Sequence, residues 1–316
     1  MKIRFAFIIF FFHFVFGITV SAQKNLSIAE RLGYPSDAKL LIIHADDAGV
    51  SHSENIATMK GMDAGIVNSA SIMVPCPWFP EIAAYARENA AEKDFGLHLT
   101  ITSEWKDYKW GPTSSKNEVK SLINPYGYFH PLVDSVIVHS RANDVEKEIS
   151  AQIEKALDFG IDVTHLDAHM GAVMSTPDFL EVYIRKGREY KVPVLLSRDI
   201  PSFKEIESRL ELTPRDIITD YVYQANPEIY SNKGMKIYYE EILNDLQPGL
   251  SVILIHLALN NEEMMAVTKE HPDWGSQWRQ DDLDFFTSNK ARQLIEDNNI
   301  ILVTWRELRD KIVRTE

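Results

Sequence analysis

The sequence predicts an α/β fold: a (β/α) barrel, seven-stranded or distorted TIM-like, with long loop insertions. Three observations point there. Seven short apolar runs have strand length, amphipathic segments of helix length separate them, and polar residues cluster where the runs end. Strands that alternate with helices of 10–15 residues form βαβ units and a parallel sheet. An open doubly wound sheet is the alternative. No G-x-G-x-x-G follows the first strand, which weakens a dinucleotide-binding form of it.

The strands are expected at 40–45, 71–74, 96–100, 163–166, 192–196, 251–256 and 300–303. The helices are expected at 53–64, 80–92, 143–159, 176–190, 236–246 and 281–298. In the third of these, Val145, Ile149, Ile153, Ala156 and Leu157 recur at helical spacing. Pro177 after Ser175 and Thr176 is a sound helix start. Residues 103–135 and 199–235 resist the pattern and read as insertions rich in aromatics and prolines. Such loops on a barrel are commonly functional. Their aromatics either stack on sugar rings or pack the insertion onto the barrel, with even weight for each.

Residues 1–22 differ from the rest. Lys2 and Arg4 precede an apolar run from Phe5 to Val20, which ends in Val20-Ser21-Ala22. The run is short for a membrane span and ends in a cleavage signature, so a signal peptide over 1–22 is expected, with export to the periplasm or medium. Residues 23–316 then form a single barrel domain. The one cysteine, Cys76, permits no intrachain disulfide and reads as a small buried hydrophobe. With 33 basic and 46 acidic residues the net charge is −13, which argues against a nucleic-acid partner. It leaves a neutral substrate such as a sugar open.

Polar groups at the C-terminal ends of barrel strands are where active sites sit. Five of the chain's ten histidines fall at such ends. Asp46 and Asp47 close the first strand, and two adjacent carboxylates repel unless a cation or proton intervenes. On a continuing strand they would point to opposite faces, so the chain must turn there, and Gly49 permits it. One carboxylate is then free to bind a metal while the other accepts a proton. The simpler role for Asp47, Ser51 or Ser53 is to cap the helix that follows. His98 alone in its strand is more often a satisfied core residue. His165, Asp167 and His169 share parity, which aims three polar groups the same way. Such a cluster is costly without partners or a metal. His169 lies farthest along, and Asp167 or His165 is placed to orient ligands. One Asp oxygen and two imidazole nitrogens leave coordination positions open for water and substrate. His256 ends a late apolar run, either as a proton donor to a leaving group or as a capped strand end. Arg198 either orients an aspartate or stabilises negative charge, or pairs with Asp199 on the surface. Arg279 reads as a helix-start residue.

These strand ends together resemble the YdjC-like carbohydrate deacetylases, of the wider polysaccharide-deacetylase type. The matching pieces are His44-Ala45-Asp46-Asp47-Ala48-Gly49, Gly96-Leu97-His98-Leu99-Thr100, His165-Leu166-Asp167-Ala168-His169 and Ile255-His256, in the family's order. The resemblance implies a barrel holding one divalent metal ion on Asp47, His98 and His169. It implies Asp46 as general base and His256 as the group that protonates the leaving amine. The substrate class it implies is an N-acetylated sugar or oligosaccharide. Two imidazoles favour zinc; family precedent permits magnesium. Three positions depart from the family's habit and bear on pocket shape: Ala48 where Phe is usual, Gly171 where a further His often stands, and Leu257-Ala258 where Pro-Gly often follows the late His.

Overall fold

A computed structural model describes residues 26–208 and 210–315; the expected signal segment lies outside the described residues. The strands are β1 (Lys39–Ala48), β2 (Ser69–Ile72), β3 (Phe95–Leu99), β4 (Leu166–Ala168), β5 (Tyr221–Gln224), β6 (Gly249–His256) and β7 (Ile300–Leu302). Their order is β4-β3-β2-β1-β6-β5, with β7 beside β1. Every pairing is parallel. Helices fill the connections, among them His52–Asp63, Phe79–Glu88, Ala142–Asp158, Pro177–Tyr190, Pro227–Asp245 and Ser276–Phe286.

The sheet curls into a distorted barrel, and two expectations change in the part that closes it. Residues 192–196 were expected as a regular strand. They form only single bridges, Leu166 with Val194 on one side and Ser197 with Thr219 on the other. Pro193 has no N–H to give to a ladder, yet its carbonyl accepts from Leu166 N at 3.0 Å, and Leu195 N returns a bond to Leu166 O at 2.9 Å. Thr219 N then donates to Leu196 O at 2.9 Å, which carries the ring on to β5. β5 itself lies inside the stretch 199–235 expected to be irregular. A further expectation, one helix over 281–298, divides into Ser276–Phe286 and Asn289–Asp297. Ser288 breaks it by capping the second helix through Ala291 N at 3.2 Å.

Strand parity sorts the core into two regions. Leu41, Ile43 and Ala45 of β1 and Ile253 and Ile255 of β6 face outward and pack under the helices. Leu40 and Ile42 of β1 and Leu250 and Val252 of β6 face inward with Leu195, Ile217 and Trp305 and fill the lower barrel. Above them the interior turns polar on the wall made by β1 to β4. His44, Ser69, Ser71, His98, His165 and Asp167 are all buried there. Gly96 is required in that layer, because a Cβ on it would lie 2.4 Å from the His165 ring.

Candidate active site

The end of β1 builds the site through a bulge. Ala45 pairs with Ala70 and Ala48 with Ile72, so one residue of β1 is extra. Asp47 absorbs it with a φ of 66°, and Gly49 follows at 103°. Asp tolerates this left-handed region better than most residues. Ala45 and Ala48 therefore both stay in the outer core, while Asp46 and Asp47 both line the interior cleft. The turn expected from the paired carboxylates is present. Ser51, not Asp47, caps the next helix by accepting Glu54 N at 3.1 Å.

Asp47, His98 and His169 come together from three strands' ends. Asp47 Oδ1 lies 3.2 Å from His98 Nε2 and 3.1 Å from His169 Nδ1. Each ring is held from behind by a carboxylate: His98 Nδ1 meets Asp167 Oδ1 at 2.8 Å, and His169 Nε2 meets Glu104 Oε2 at 3.1 Å. Burial disfavours the charged rings, yet Asp167 and Asp46 raise the His98 pKa, and Glu104 and Asp47 raise that of His169 to about 9. An ion that displaces the proton facing Asp47 leaves both rings aiming lone pairs at Asp47 Oδ1, a buried oxygen that no hydrogen bond reaches. Three converging lone pairs repel unless a cation sits among them, so the residues fit a divalent ion. Burial would raise the Asp47 pKa, but Arg279 and His169 hold it well below the usual carboxylate range.

A second buried group, His44, Asp46 and Asp167, has similar spacing. His44 itself supplies the positive charge there. Nδ1 meets Ser69 Oγ at 2.9 Å and Nε2 meets Asp167 Oδ2 at 2.9 Å. Burial disfavours its charged form, yet Asp167 and Asp46 raise its pKa to about 9. This group offers one imidazole where the first offers two, and His44 is not among the residues that line the cleft. Asp46 Oδ1 lies 3.2 Å from His44 Nε2. Its Oδ2 lies 3.8 Å from His256 Nε2, which closes the other side of the cleft. Burial pushes the Asp46 carboxyl up, against the pull of His98 and His44. Burial lowers His256 to about 3, despite Asp47 nearby.

Arg198 stands apart from these groups. Its exposed guanidinium pairs with Glu207 rather than with an aspartate of the cleft. The buried cation of the site is Arg279, read from the sequence as a helix-start residue. Its Nη2 donates to Asp47 Oδ2 at 2.9 Å, Nη1 binds Glu54, and Nε donates to Trp274 O at 2.6 Å. Glu104, behind His169, was also missed. Of the two residues expected to orient a ligand, Asp167 bonds the His98 ring, whereas His165 stacks on Trp305 at 5.1 Å and meets His44 edge-on at 4.8 Å.

Asp46, Asp47, His98, His169 and His256 line one cleft of about 620 Å³. Leu195, Val222 and Leu254 give the cleft apolar lining, and Trp105 and Trp274 line it as well. Trp110 is buried against His169, so in the first insertion packing claims that ring. Among the described residues no helix is long and apolar enough to cross a membrane.

A distorted parallel barrel with carboxylates and imidazoles gathered at its strand ends defines a class of fold and site. Residues 40–297 match the family described as YdjC-like protein, and the chain belongs to that family. It is 31% identical over 296 residues to a carbohydrate deacetylase of Thermus thermophilus, covering 91% of this chain and 100% of that one. It is 28% identical over 271 residues to a carbohydrate deacetylase of Thermoanaerobacter pseudethanolicus, covering 86% and 100%. A solved structure from Enterococcus faecalis V583, provisionally named a cellobiose-phosphate cleavage protein, superposes with a TM-score of 0.72 at 23% identity. It covers 86% of this chain and 99% of its own, and the likeness shows the fold.

Proposed function

We propose that this chain is a metal-dependent carbohydrate deacetylase, which hydrolyses the N-acetyl group of an amino sugar or oligosaccharide and releases acetate. The observation that carries the reading is the convergence of Asp47 Oδ1, His98 Nε2 and His169 Nδ1 on one point in the cleft, with Asp46 and His256 beside it. These three atoms would hold the ion, and two imidazoles favour zinc over magnesium. When bound, a divalent ion lowers the pKa of a water toward neutrality and polarises the acetyl carbonyl.

The chain's own residues do the proton work. Asp46 Oδ2 accepts the proton of the attacking water, and His44 holds Asp46 from the opposite side. His256 Nε2 delivers a proton to the departing amine, without which the amide nitrogen is a poor leaving group. Burial keeps the resting His256 ring neutral, so it must collect that proton within the cycle. Asp46 Oδ2, 3.8 Å away, is a source within reach. Arg279, itself paired with Glu54, fixes the carboxylate of Asp47.

The test is acetate release from a panel of N-acetylated oligosaccharides, with and without chelator. Release that the chelator abolishes and added zinc restores supports the reading. Release indifferent to chelator, or none from any sugar, defeats it. We also propose export, on residues 1–22. N-terminal sequencing of protein recovered outside the cytoplasm should begin near Gln23.

A further inference from the structure

The loop before the helix Ser276–Phe286 carries Trp274, which packs against the core and also lines the cleft. Trp274 has a φ of 52°, in the left-handed region where a bulky residue is rare. Such a conformation persists only where its surroundings impose it. Here two things do. Arg279 Nε donates to the Trp274 carbonyl at 2.6 Å, and Gly275 N donates to Pro272 O at 3.1 Å. Gly275 has to be glycine, since a Cβ there would lie 2.8 Å from the His271 carbonyl.

The ring itself is the outer member of a stack. Trp278 lies against Trp274 at 5.2 Å and 22°, and against Tyr230 at 4.4 Å and 13°. Trp278 is buried and sits between the other two. Trp274 is half-buried and lines the cleft. One face of the indole packs on Trp278, and the residue lines the cleft that also holds Asp46, Asp47 and His256. An aromatic face carries negative charge density and an apolar surface. The C–H face of a pyranose ring is its complement. Backing by two more rings fixes the indole in place, which lowers the ordering cost of binding. The link through Arg279 to Asp47 ties this wall to the candidate metal centre by a single guanidinium.

We propose that Trp274 is the sugar-stacking wall of the cleft and sets its preference for a substrate with a pyranose ring on the indole. The inference rests on the deacetylase reading for what happens next to that ring, and its test separates the two. Calorimetric titration with β-1,4-linked N-acetylglucosamine di- and tetrasaccharides would be run on the wild type, Trp274→Ala and Trp274→Phe, each checked for an unaltered melting temperature. Binding should weaken about tenfold in the Ala variant and largely return in the Phe variant; sugar should quench the wild-type tryptophan fluorescence, a signal that both variants lose with the indole. In turnover the loss should appear in KM rather than kcat. Equal affinity in wild type and Ala variant overturns the proposal, as does an absence of sugar binding by the wild type. If the Ala variant alone is unstable, the Phe variant decides by calorimetry: affinity near the wild-type value supports the wall, and loss as deep as that of the swap Trp274→Leu sinks it. Sugar binding that needs Trp274 but is followed by no acetate release would leave the wall standing and remove the deacetylase reading.

Discussion

At Asp47 one carboxylate faces two demands: Oδ1 meets the imidazoles of His98 and His169, and Oδ2 meets Arg279. Splitting the oxygens this way leaves Oδ1 exposed to a cation while the guanidinium keeps the group ionised. Asp46, one residue earlier, is buried beside His44 and His256 and is free to take a proton. Asp46→Asn should therefore keep metal binding and lose about 10²–10⁴-fold in turnover, while Asp47→Ala and His169→Ala should lose both. Metal content after dialysis, read beside acetate release, separates the two outcomes; an Asp46→Asn enzyme with near-normal rate would reassign the base. Arg279→Met leaves Asp47 and Glu54 as buried carboxylates without their cation. It should cost about 3–5 kcal/mol, measured by urea unfolding, and a loss under 1 kcal/mol would show the pair to be dispensable. The strand-end residues were legible because strand parity and an apolar run announce where a polar side chain must point. Arg279 was not, since its partners Asp47 and Glu54 are more than two hundred positions away in the chain. The apolar Leu283 and Phe286, at helical spacing from Arg279 and buried with it, were the signal that its face turns inward. Glu104 lies in an irregular loop, where no period exists to read.

Among the elements, β1 has to change neighbours along its length. Its first three residues pair with β7, and from His44 onward the same edge pairs with β2. Asn68 bridges the junction. Its Oδ1 accepts Ile43 N at 2.7 Å, and its Nδ2 donates to Val303 O at 2.6 Å. Asn68→Ala should leave both backbone groups unsatisfied and cost about 1–3 kcal/mol for each. Urea unfolding gives the total, and hydrogen exchange at the Ile43 amide should speed up selectively; unchanged exchange there would refute the assignment. The same scale explains what the sequence concealed about the barrel. A run such as Leu40 to Ala45 is long and apolar, so its strand is plain. β5 is four residues of Tyr, Val and Gln with two of them exposed, and nothing in that pattern separates it from a loop. At 192–196 the reverse holds: the run is as apolar as a strand, but Pro193 interrupts the ladder and only single bridges form.

For the whole molecule, Asp282 is the group whose titration should show in global stability. It lies buried on the helix Ser276–Phe286, where Oδ2 accepts the backbone N–H of His256 at the end of β6. Oδ1 accepts the hydroxyl of Tyr239 from the helix Pro227–Asp245 at 2.8 Å. One carboxyl thus joins a barrel strand to two outer helices. Burial raises its pKa from 3.8 to about 8, and the His256 N–H and the Tyr239 hydroxyl only partly oppose the shift. Between those two values the folded chain holds a proton that the unfolded chain has released. Stability must then fall as pH rises from about 4 to about 8, and flatten above, by proton linkage. Asp282→Asn keeps the shape and cannot titrate. The difference in unfolding free energy between wild type and Asp282→Asn should therefore move against the wild type from pH 5 to pH 8 and stop moving by pH 9. Urea unfolding of both proteins at these three pH values gives that difference directly, since every other titrating group contributes to both curves. Parallel curves would mean that Asp282 ionises in the folded barrel as easily as it does in water, and that its two hydrogen bonds offset the whole cost of burying its charge.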